Sequence, residues 1–225
     1  MSITKCLFRA VHDGDAQLVT ALLAARANPN AGRKGQTALH VAAEGDKVAV
    51  LKALIEAGAN LEARDHFDDT ALHGAAQGGK VAALKILIGA GADLEARDNS
   101  GGTALHDAAQ RGKVAALKIL IEAGADLNAQ DDDGKTALHK AADEVAALKV
   151  LIEAGVDLNA QDNDGKTALH EAAEDGAVAA LKVLIEAGAD RNAQDNDGNT
   201  ALQTPTVRKY IDIILALGWT PPHNE

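Results

Sequence analysis

The 225-residue chain has few aromatic residues, few prolines and a single cysteine. Aromatic side chains make up 2% of the residues, and there are 4 prolines. Cys6 has no second cysteine to pair with, which excludes a disulfide scaffold and a zinc site built from several cysteines. Hydrophobic residues nevertheless make up 47% of the chain, so the sequence predicts a large core built from aliphatic side chains.

The chain also lacks long apolar runs and an excess of positive charge. No apolar run reaches the roughly 18 residues of a membrane-spanning helix, and the first ten residues lack the apolar centre of a secretory signal. We therefore expect a cytoplasmic protein that does not enter a membrane. The net charge of −11 argues against a nucleic-acid partner, because phosphate binding needs a basic surface.

The dominant feature of the sequence is an internal repeat. The tetrapeptide Thr-Ala-Leu-His returns at intervals of 33, 33, 33 and 31 residues, and the variant Thr-Ala-Leu-Gln follows after another 33. These motifs begin at Thr37, Thr70, Thr103, Thr136, Thr167 and Thr200. A period of this length is typical of proteins in which each repeat is one supersecondary unit.

Residues 98–130 show what one repeat predicts. Apolar residues recur at helical spacing after Thr103, Gly112 provides a turn, and a second apolar stripe begins at Val114. Gly124 then stands where a helix C-terminal glycine is expected. Such a helical hairpin cannot bury its apolar face alone, so it must stack on its neighbours as a solenoid.

The period and the motif Thr-Ala-Leu-His-x-Ala-Ala resemble those of ankyrin repeats over nearly the whole chain. The resemblance implies an all-α solenoid of stacked helix-turn-helix units joined by hairpin-like loops. We assign a single domain, 1–225, with an N-terminal cap at 1–31 and a C-terminal cap at 195–225. The full repeats are 32–64, 65–97, 98–130, 131–161 and 162–194.

Five histidines of the motif form the most regular set of candidate ligands: His40, His73, His106, His139 and His170. Stacked units place successive copies roughly 10 Å apart, too far to share one metal ion. The resemblance implies that each histidine instead hydrogen-bonds within its threonine motif and to the neighbouring loop. The sequence therefore predicts a structural role and no metal site at these histidines.

The sequence gives little support for a calcium site, a catalytic site or a phosphate-binding loop. The acidic loops that begin at Asp131, Asp162 and Asp195 resemble part of a calcium loop, but in the loop of Asp162 the first ligand position is occupied by Ala160. Each of these aspartates is instead expected to accept hydrogen bonds from local backbone N–H groups. Neither a nucleophile with a positioned base nor a glycine-rich phosphate loop is visible. The sequence thus predicts a protein that is not an enzyme and that has no cofactor.

Charge is distributed unevenly along the chain. Residues 1–43 carry a net charge of +3, and the remaining residues carry −14. Many acids lie on the loops, whereas the second helices carry a row of lysines. The concave surface, made from loops and first helices, is therefore expected to be acidic toward the C-terminus. Such a surface could steer a basic partner, although charge that only keeps the chain soluble would give the same pattern.

The leading hypothesis, which the resemblance implies, is a non-enzymatic module that binds a partner protein on this concave surface. Two rows of first-helix residues differ between repeats while the frame around them stays constant. The first, called here the variable row, is Val41, Gly74, Asp107, Lys140 and Glu171. The second, called the outer row, is Glu44, Gln77, Gln110, Asp143 and Glu174. Drift on an exposed surface would give the same pattern.

Phe67 is the sharpest single candidate. It stands at a loop tip where the other units have polar residues: Lys34, Ser100, Asp133, Asp164 and Asp197. Phe67 is either an exposed interface anchor or a ring that folds back onto Arg64 or Arg33 through a cation–π contact. The full candidate set for partner binding is Phe67, His66, Arg33, Lys34, Val41, Asp107, Lys140, Glu171, Asp133 and Asp164.

Two other functions stay open. The basic N-terminal end and the acidic C-terminal end could associate head to tail in a self-assembling structural protein, although a monomer is the default. The chain could also be the regulatory subunit of an enzyme encoded elsewhere. Light scattering at low and high salt addresses the first, and identification of bound partners addresses the second.

The sequence also predicts three local departures from the repeat. Two residues are missing beside Asp143, so the first helix of that repeat should end early, near Ala142. Asp46 and Asp68 occupy positions held by glycine in other units, and both should adopt left-handed backbone. Replacement of either aspartate by glycine is expected to be neutral or mildly stabilising.

Overall fold

The computed structural model describes residues 3–33 and 35–203, and these residues form α-helical hairpins in sequence. They divide into two compact units. The N-terminal unit comprises Met1–Ala108 and Lys113–Asp126, and the C-terminal unit comprises Ala109–Gly112 and Leu127–Glu225. Residues 204–225, which include most of the assigned C-terminal cap, lie outside the described part.

The N-terminal unit contains successive helical hairpins and one short strand pair. Its elements are α1 (Ile3–Asp13), α2 (Ala16–Ala24), β1 (Gly32–Arg33), β2 (Gln36–Thr37), α3 (Ala38–Glu44), α4 (Val48–Glu56), α5 (Ala71–Gln77), α6 (Val81–Gly89), the start of α7 (Ala104–Gln110) and α8 (Val114–Glu122). The strands β1 and β2 pair antiparallel, with Gly32 opposite Thr37. First helices pack on first helices (α1, α3, α5), and second helices pack on second helices (α2, α4, α6, α8).

The C-terminal unit repeats this arrangement. It contains α9 (Ala137–Lys140), α10 (Val145–Glu153), α11 (Ala168–Glu174), α12 (Val178–Glu186) and a 3₁₀-helix (Ala201–Gln203). Helix α9 packs on α11, α10 packs on α12, and α11 packs on the 3₁₀-helix. The predicted fold class, an all-α array of stacked helix-turn-helix units, is therefore confirmed.

The core is aliphatic, as the composition predicts. Each repeat buries the leucine of its motif and two leucines of its second helix, for example Leu72, Leu84 and Leu87. Alanines between them are also buried, and their small side chains let neighbouring helices approach closely. Among the described residues, Phe8 in α1 is the one buried Phe, Tyr or Trp, with only 6% of its surface exposed.

Glycine ends the second helix of each full repeat for a conformational reason. In the first full repeat, 32–64, Gly58 has φ 81°, which lets Ala59 N donate to Leu54 O at 2.9 Å. The equivalent glycines Gly91, Gly124, Gly155 and Gly188 have φ between 86° and 97°. Glycine enters this left-handed region without the steric cost that a Cβ atom imposes, so it closes the helix and starts the loop.

The two predicted left-handed aspartates are confirmed. Asp46 has φ 51° and Asp68 has φ 60°. The side chain of Asp46 also accepts a hydrogen bond from Ala83 N at 2.8 Å, at the start of α6 in the next repeat. The expectation that Asp46→Gly is neutral overlooked this bond. Arg26, with φ 64°, is a third left-handed residue that the sequence analysis did not predict.

The shortened repeat behaves as predicted, with a shifted boundary. Helix α9 has four residues, whereas α5 and α11 have seven each. It ends at Lys140, two residues before the expected position, and turn residues lead directly into α10. The missing glycine turn has thus removed the last helical turn of this first helix.

No helix among the described residues is long and apolar enough to cross a membrane.

Candidate functional site: the loop tips and first helices

The motif histidines hold each repeat to the next. In four of them Nδ1 accepts a hydrogen bond from the motif threonine N–H at 3.1 or 3.2 Å. Nε2 lies within hydrogen-bonding distance of a backbone oxygen in the following loop, from 2.9 Å at His40 and Asp69 to 3.3 Å at His73 and Gly102. A carbonyl can only accept, so Nε2 carries the proton and Nδ1 is the acceptor.

These contacts confirm the structural role predicted for the histidines. His106 makes the same contact with Thr103 N, at 3.1 Å. Burial lowers the pKa of His73 and of His139 below the usual value, which favours the neutral imidazole that this bonding pattern requires. Both ring nitrogens are committed to the backbone in His40, His73, His139 and His170. None of these four rings therefore presents a lone pair to a metal ion.

The first aspartate of each acidic loop bonds its own loop. Oδ1 of Asp131 accepts from Asp133 N at 3.0 Å and from Lys135 N at 2.8 Å. Asp162 and Asp195 make the same pair of bonds in their loops. These carboxylates therefore close turns, as the sequence analysis predicts.

Three lysines form ion pairs with acids on this surface of the C-terminal unit. Lys140 Nζ lies 2.6 Å from Asp131 Oδ2. Lys135 Nζ lies 2.8 Å from Glu171 Oε1, and Lys166 Nζ lies 2.7 Å from Glu174 Oε1. Two predicted partner-binding residues, Lys140 and Glu171, are thus engaged within the chain. The expected excess of negative charge toward the C-terminus is reduced by these three ion pairs, which sequence analysis missed.

Two of the paired lysines belong to the position that immediately precedes each motif threonine. We call this position the pre-threonine row; it consists of Gln36, Asp69, Gly102, Lys135, Lys166 and Asn199. In the C-terminal unit, Lys135 of this row meets Glu171 of the variable row in the next repeat. The N-terminal unit has two register-equivalent pairs: Gln36 with Gly74, and Asp69 with Asp107, where an acid lies beside an acid.

The acids of the N-terminal unit lie close together. Ligand atoms of Asp69, His73 and Asp107 all lie within 4.8 Å of one another. The pKa of the Asp69 carboxyl is raised to about 6, first because the group is partly desolvated and then because Asp65, Asp98 and Glu44 repel its negative charge. The nearby His66 has a smaller effect and lowers the pKa of the same carboxyl. In the part of the chain that the structure describes, no lysine or arginine forms an ion pair with Asp69.

The three residues Asp69, His73 and Asp107 do not fit a metal ion well. A histidine ligand must offer a nitrogen lone pair, and His73 uses Nδ1 toward Thr70 N (3.2 Å) and Nε2 toward Gly102 O (3.3 Å). A bound ion would have to displace one of these frame bonds. We therefore regard the cluster as a concentration of negative charge, not as a metal centre.

The predicted exposure of Phe67 is confirmed. Its residue surface is 55% exposed at the tip of the loop before α5. Its ring lies 4.0 Å from that of His66, between centroids, with an interplanar angle of 44°. The alternative contact with Arg64 or Arg33 is absent from residues 3–33 and 35–203. Arg64 instead donates to Asp68 O at 2.7 Å and to Arg97 O.

Two cavities open on the N-terminal unit beside these residues. The first, called the acidic notch, has a volume of about 120 Å³ and is lined by Gln36, Glu44, Phe67, Asp69 and Gly74 among others. The second, called the basic pocket, has a volume of about 500 Å³ and is lined by Lys5, Phe8, Arg9, Arg33 and Val41 among others. The notch and the pocket share Gln36 and are therefore adjacent.

The other predicted site residues are dispersed. Asp133 and Asp164 lie at exposed loop tips in the C-terminal unit, and their carbonyls accept from Asn163 N at 3.0 Å and Asn196 N at 2.9 Å. Lys34 lies outside the described residues. The structure thus brings Phe67 and His66 to the notch and places Arg33 and Val41 in the basic pocket. Glu44 and Gly74, which sequence analysis noted only as members of rows, complete the notch.

Comparisons with known proteins agree with this fold. A family model described as "Ankyrin repeats (3 copies)" matches residues 7–98, 72–162 and 143–218. The crystal structure of the ankyrin repeat domain of Bcl-3, a member of the IkappaB protein family, is similar with a TM-score of 0.84 and 30% identity, covering 93% of this chain and 97% of that one. The ankyrin repeat domain ABAYE2397 from Acinetobacter baumannii AYE is similar with a TM-score of 0.73 and 34% identity, covering 82% and 98%. No curated protein matches by sequence.

Proposed function

We propose that this chain, which belongs to the ankyrin repeat family, binds another protein through its loop and first-helix surface and catalyses no reaction. Ankyrin repeats are generally protein–protein interaction modules and are typically not enzymes. In this chain the most regular polar groups, the motif histidines and the loop aspartates, are committed to the frame. They are therefore poorly placed to bind a substrate.

The observation that carries the proposal is the exposed Phe67, which lines the acidic notch. An exposed aromatic side chain next to a cavity is a typical interface anchor, because it contributes contact area without much loss of rotamer freedom. The binding surface on the N-terminal unit comprises Phe67, His66, Arg33, Val41 and Asp107. On the C-terminal unit the predicted residues Lys140, Glu171, Asp133 and Asp164 are assigned a lesser part, since ion pairs already occupy the first two.

Charge complementarity supports a partner that presents basic groups to the acidic notch. The basic pocket, beside it, favours an acidic group on an apolar stem, because Phe8 and Val41 supply apolar walls below the cationic side chains. The two cavities together would fix the orientation of a bound segment.

We propose that the chain is a monomer in the cytoplasm and that it binds neither nucleic acid nor membrane. The alternative is head-to-tail association that depends on salt, which light scattering at low and high salt would detect.

Affinity capture with variants tests this function. Tagged wild-type chain, Phe67→Ala and Lys85→Gln are used to capture proteins from a lysate of the source cells, and the bound proteins are quantified by mass spectrometry. Lys85 is exposed on the second helix α6, away from the proposed surface. We expect a specific partner whose recovery falls at least about fivefold with Phe67→Ala and not with Lys85→Gln. Equal recovery by both variants and the wild type would contradict the proposed surface.

A further inference from the structure

The acidic notch is open because one helix residue has no side chain. Gly74 stands in the variable row, where the other repeats have Val41, Asp107, Lys140 and Glu171. A Cβ atom on Gly74 would lie 3.2 Å from Glu44 Cγ, so any larger residue would press into the notch. Phe67 forms one wall, and Glu44 and Asp69 bring carboxylates from two successive repeats. The cavity of about 120 Å³ has room for the head of one long side chain.

The notch has negative charge that the chain does not neutralise. The Glu44 carboxylate accepts from Gln36 Nε2 at 2.7 Å, an uncharged donor. Burial and the carboxylates of Asp65, Asp98 and Glu44 disfavour ionisation of the Asp69 carboxyl, so its pKa rises to about 6. Within the described ranges, neither Glu44 nor Asp69 has a lysine or arginine as an ion-pair partner. A cation in the notch would relieve this repulsion.

The chain's own repeats show which group fills the equivalent place. Lys166 of the pre-threonine row pairs with Glu174 of the outer row in the same repeat, at 2.7 Å. The register-equivalent pair in the N-terminal unit is Gln36 and Glu44. Lys135 similarly meets Glu171 at 2.8 Å, where the N-terminal unit has Gln36 and Gly74 instead. At these equivalent positions, the C-terminal unit therefore has a lysine ammonium group in two places. The notch has an uncharged glutamine there instead.

We propose that the acidic notch binds the side chain of a lysine or arginine on a partner polypeptide. The cationic head reaches the carboxylates of Glu44 and Asp69, and its methylene stem lies against the ring of Phe67, whose face attracts a cation. The inference rests on the proposed function, because it specifies what one part of the partner presents. A bare divalent ion is the competing occupant, and the committed ring nitrogens of His73 disfavour it.

Small cationic probes test the notch without knowledge of the partner. The probes are Nα-acetyl-lysine amide and Nα-acetyl-arginine amide, with Nα-acetyl-norleucine amide and Nα-acetyl-glutamate amide as controls. The full chain is labelled with ¹⁵N-glycine, and the Gly74 amide is assigned from the signal that Gly74→Ala removes. We expect a saturable shift of the Gly74 signal with one or both cationic probes, and no comparable shift with norleucine or glutamate.

Variants locate the binding. Asp69→Lys supplies the ammonium from the chain itself, as the fourth repeat does with Lys135, and should weaken probe binding at least about tenfold through like-charge repulsion. Phe67→Ala should weaken it about threefold or more. Glu56→Gln removes an equal charge from the exposed end of α4 and should change nothing. Because Phe67 and Glu44 are exposed, Phe67→Ala and Glu44→Gln keep the test valid if Asp69→Lys does not fold.

Three results would overturn the inference. The first is an equal response to norleucine, which would make the notch an apolar site. The second is binding that Asp69→Lys and Phe67→Ala leave unchanged. The third is a Gly74 shift with Ca²⁺ or Mn²⁺ alone and none with the two cationic amides, which would make the notch an ion site. Each of these outcomes leaves the capture of a partner through Phe67 unaffected, so failure of the inference and failure of the proposed function remain distinguishable.

Discussion

In the C-terminal unit, lysines from the loops and first helices pair with nearby acids, whereas the N-terminal unit sets acid beside acid in the same register. Lys135 and Glu171 lie 2.8 Å apart in the first case. In the second, Asp69 and Asp107 approach each other beside His73, within 4.8 Å. The buried motif leucines and the histidine bonds recur in both units, although α9 is shorter than α5 and α11. The contrast between these two pairs therefore lies in the surface charge and not in the buried core or the histidine bonds.

The comparison distinguishes the buried groups that stabilise the fold from the surface charges that contribute little to its stability. Partly exposed ion pairs contribute at most about 1 kcal/mol each, while buried leucines and satisfied buried polar groups contribute several times more. A unit can therefore carry unneutralised acids at modest cost to its stability. The proposed partner would offset this cost by supplying positive charge.

The largest expected effect comes from breaking the shared frame. We expect His73→Ala and His139→Ala each to lower the free energy of unfolding by about 2–3 kcal/mol, because a buried threonine N–H and a loop carbonyl lose their partner. Urea denaturation of the two variants measures this. A loss of less than about 0.5 kcal/mol in the free energy of unfolding for either variant would show that the histidine bonds do not stabilise the two units equally.

The next effect concerns the shortened repeat. Helix α9 has lost three residues relative to α5 and has no glycine turn after it. We expect the amides of 136–152 to exchange with solvent at a lower opening free energy than those of α5 and α6, by about 2 kcal/mol, because roughly two or three helical hydrogen bonds are missing. Native-state hydrogen exchange that shows 136–152 as the best-protected segment would refute this prediction.

The frame could be predicted from the sequence because it is periodic. The six registered motifs indicate where first helices begin, and the glycine after the second helix of each full repeat indicates where that second helix ends. The early end of the first helix near Asp143, the left-handed Asp46 and Asp68 and the exposed Phe67 followed from breaks in that period. In each case the repeats themselves provided the reference.

The charge pairs could not be predicted because they join residues of different rows. Lys135 and Glu171 are 36 positions apart and meet only when one repeat is stacked on the next. The bond from Ala83 N to Asp46 crosses a repeat boundary in the same way. Row-by-row comparison treats each position alone, so it identified Lys140 and Glu171 as binding residues without seeing that they are already paired.

Exchanging charges between the two units tests how much their surface charges contribute to stability. Lys135→Gln should lower the free energy of unfolding by about 0.5–1 kcal/mol, and Asp69→Lys should raise it by a similar amount, because each change gives one unit the charges of the other. Lys182→Gln is the matched control, since its pair with Glu186 is exposed and 3.8 Å long. Stabilisation by Lys135→Gln, measured in urea at 0.1 M salt, would reverse the account.

The smallest effect separates the two left-handed aspartates. Asp68→Gly should stabilise the chain by up to about 1 kcal/mol, because glycine relieves the positive φ. Asp46→Gly gains the same relief but loses the bond to Ala83 N at the start of α6, so it should be less favourable than Asp68→Gly by about 1 kcal/mol. Thermal unfolding of the two variants decides this. Equal shifts in Tm would mean that the Asp46 bond contributes nothing.

Titration of the Asp69 carboxyl by ¹³C NMR tests most directly whether the N-terminal unit carries unneutralised acid. We expect a pKa of about 6 for this carboxyl, against an ordinary value of 3.8. Because the folded pKa is the higher one, Asp69 contributes stability that is fully present below pH 3.8 and is lost as the pH rises through 6. Asp69→Asn should accordingly become more stable than wild type above pH 6 and not below pH 4. An Asp69 carboxyl that titrates near 3.8 would contradict the account.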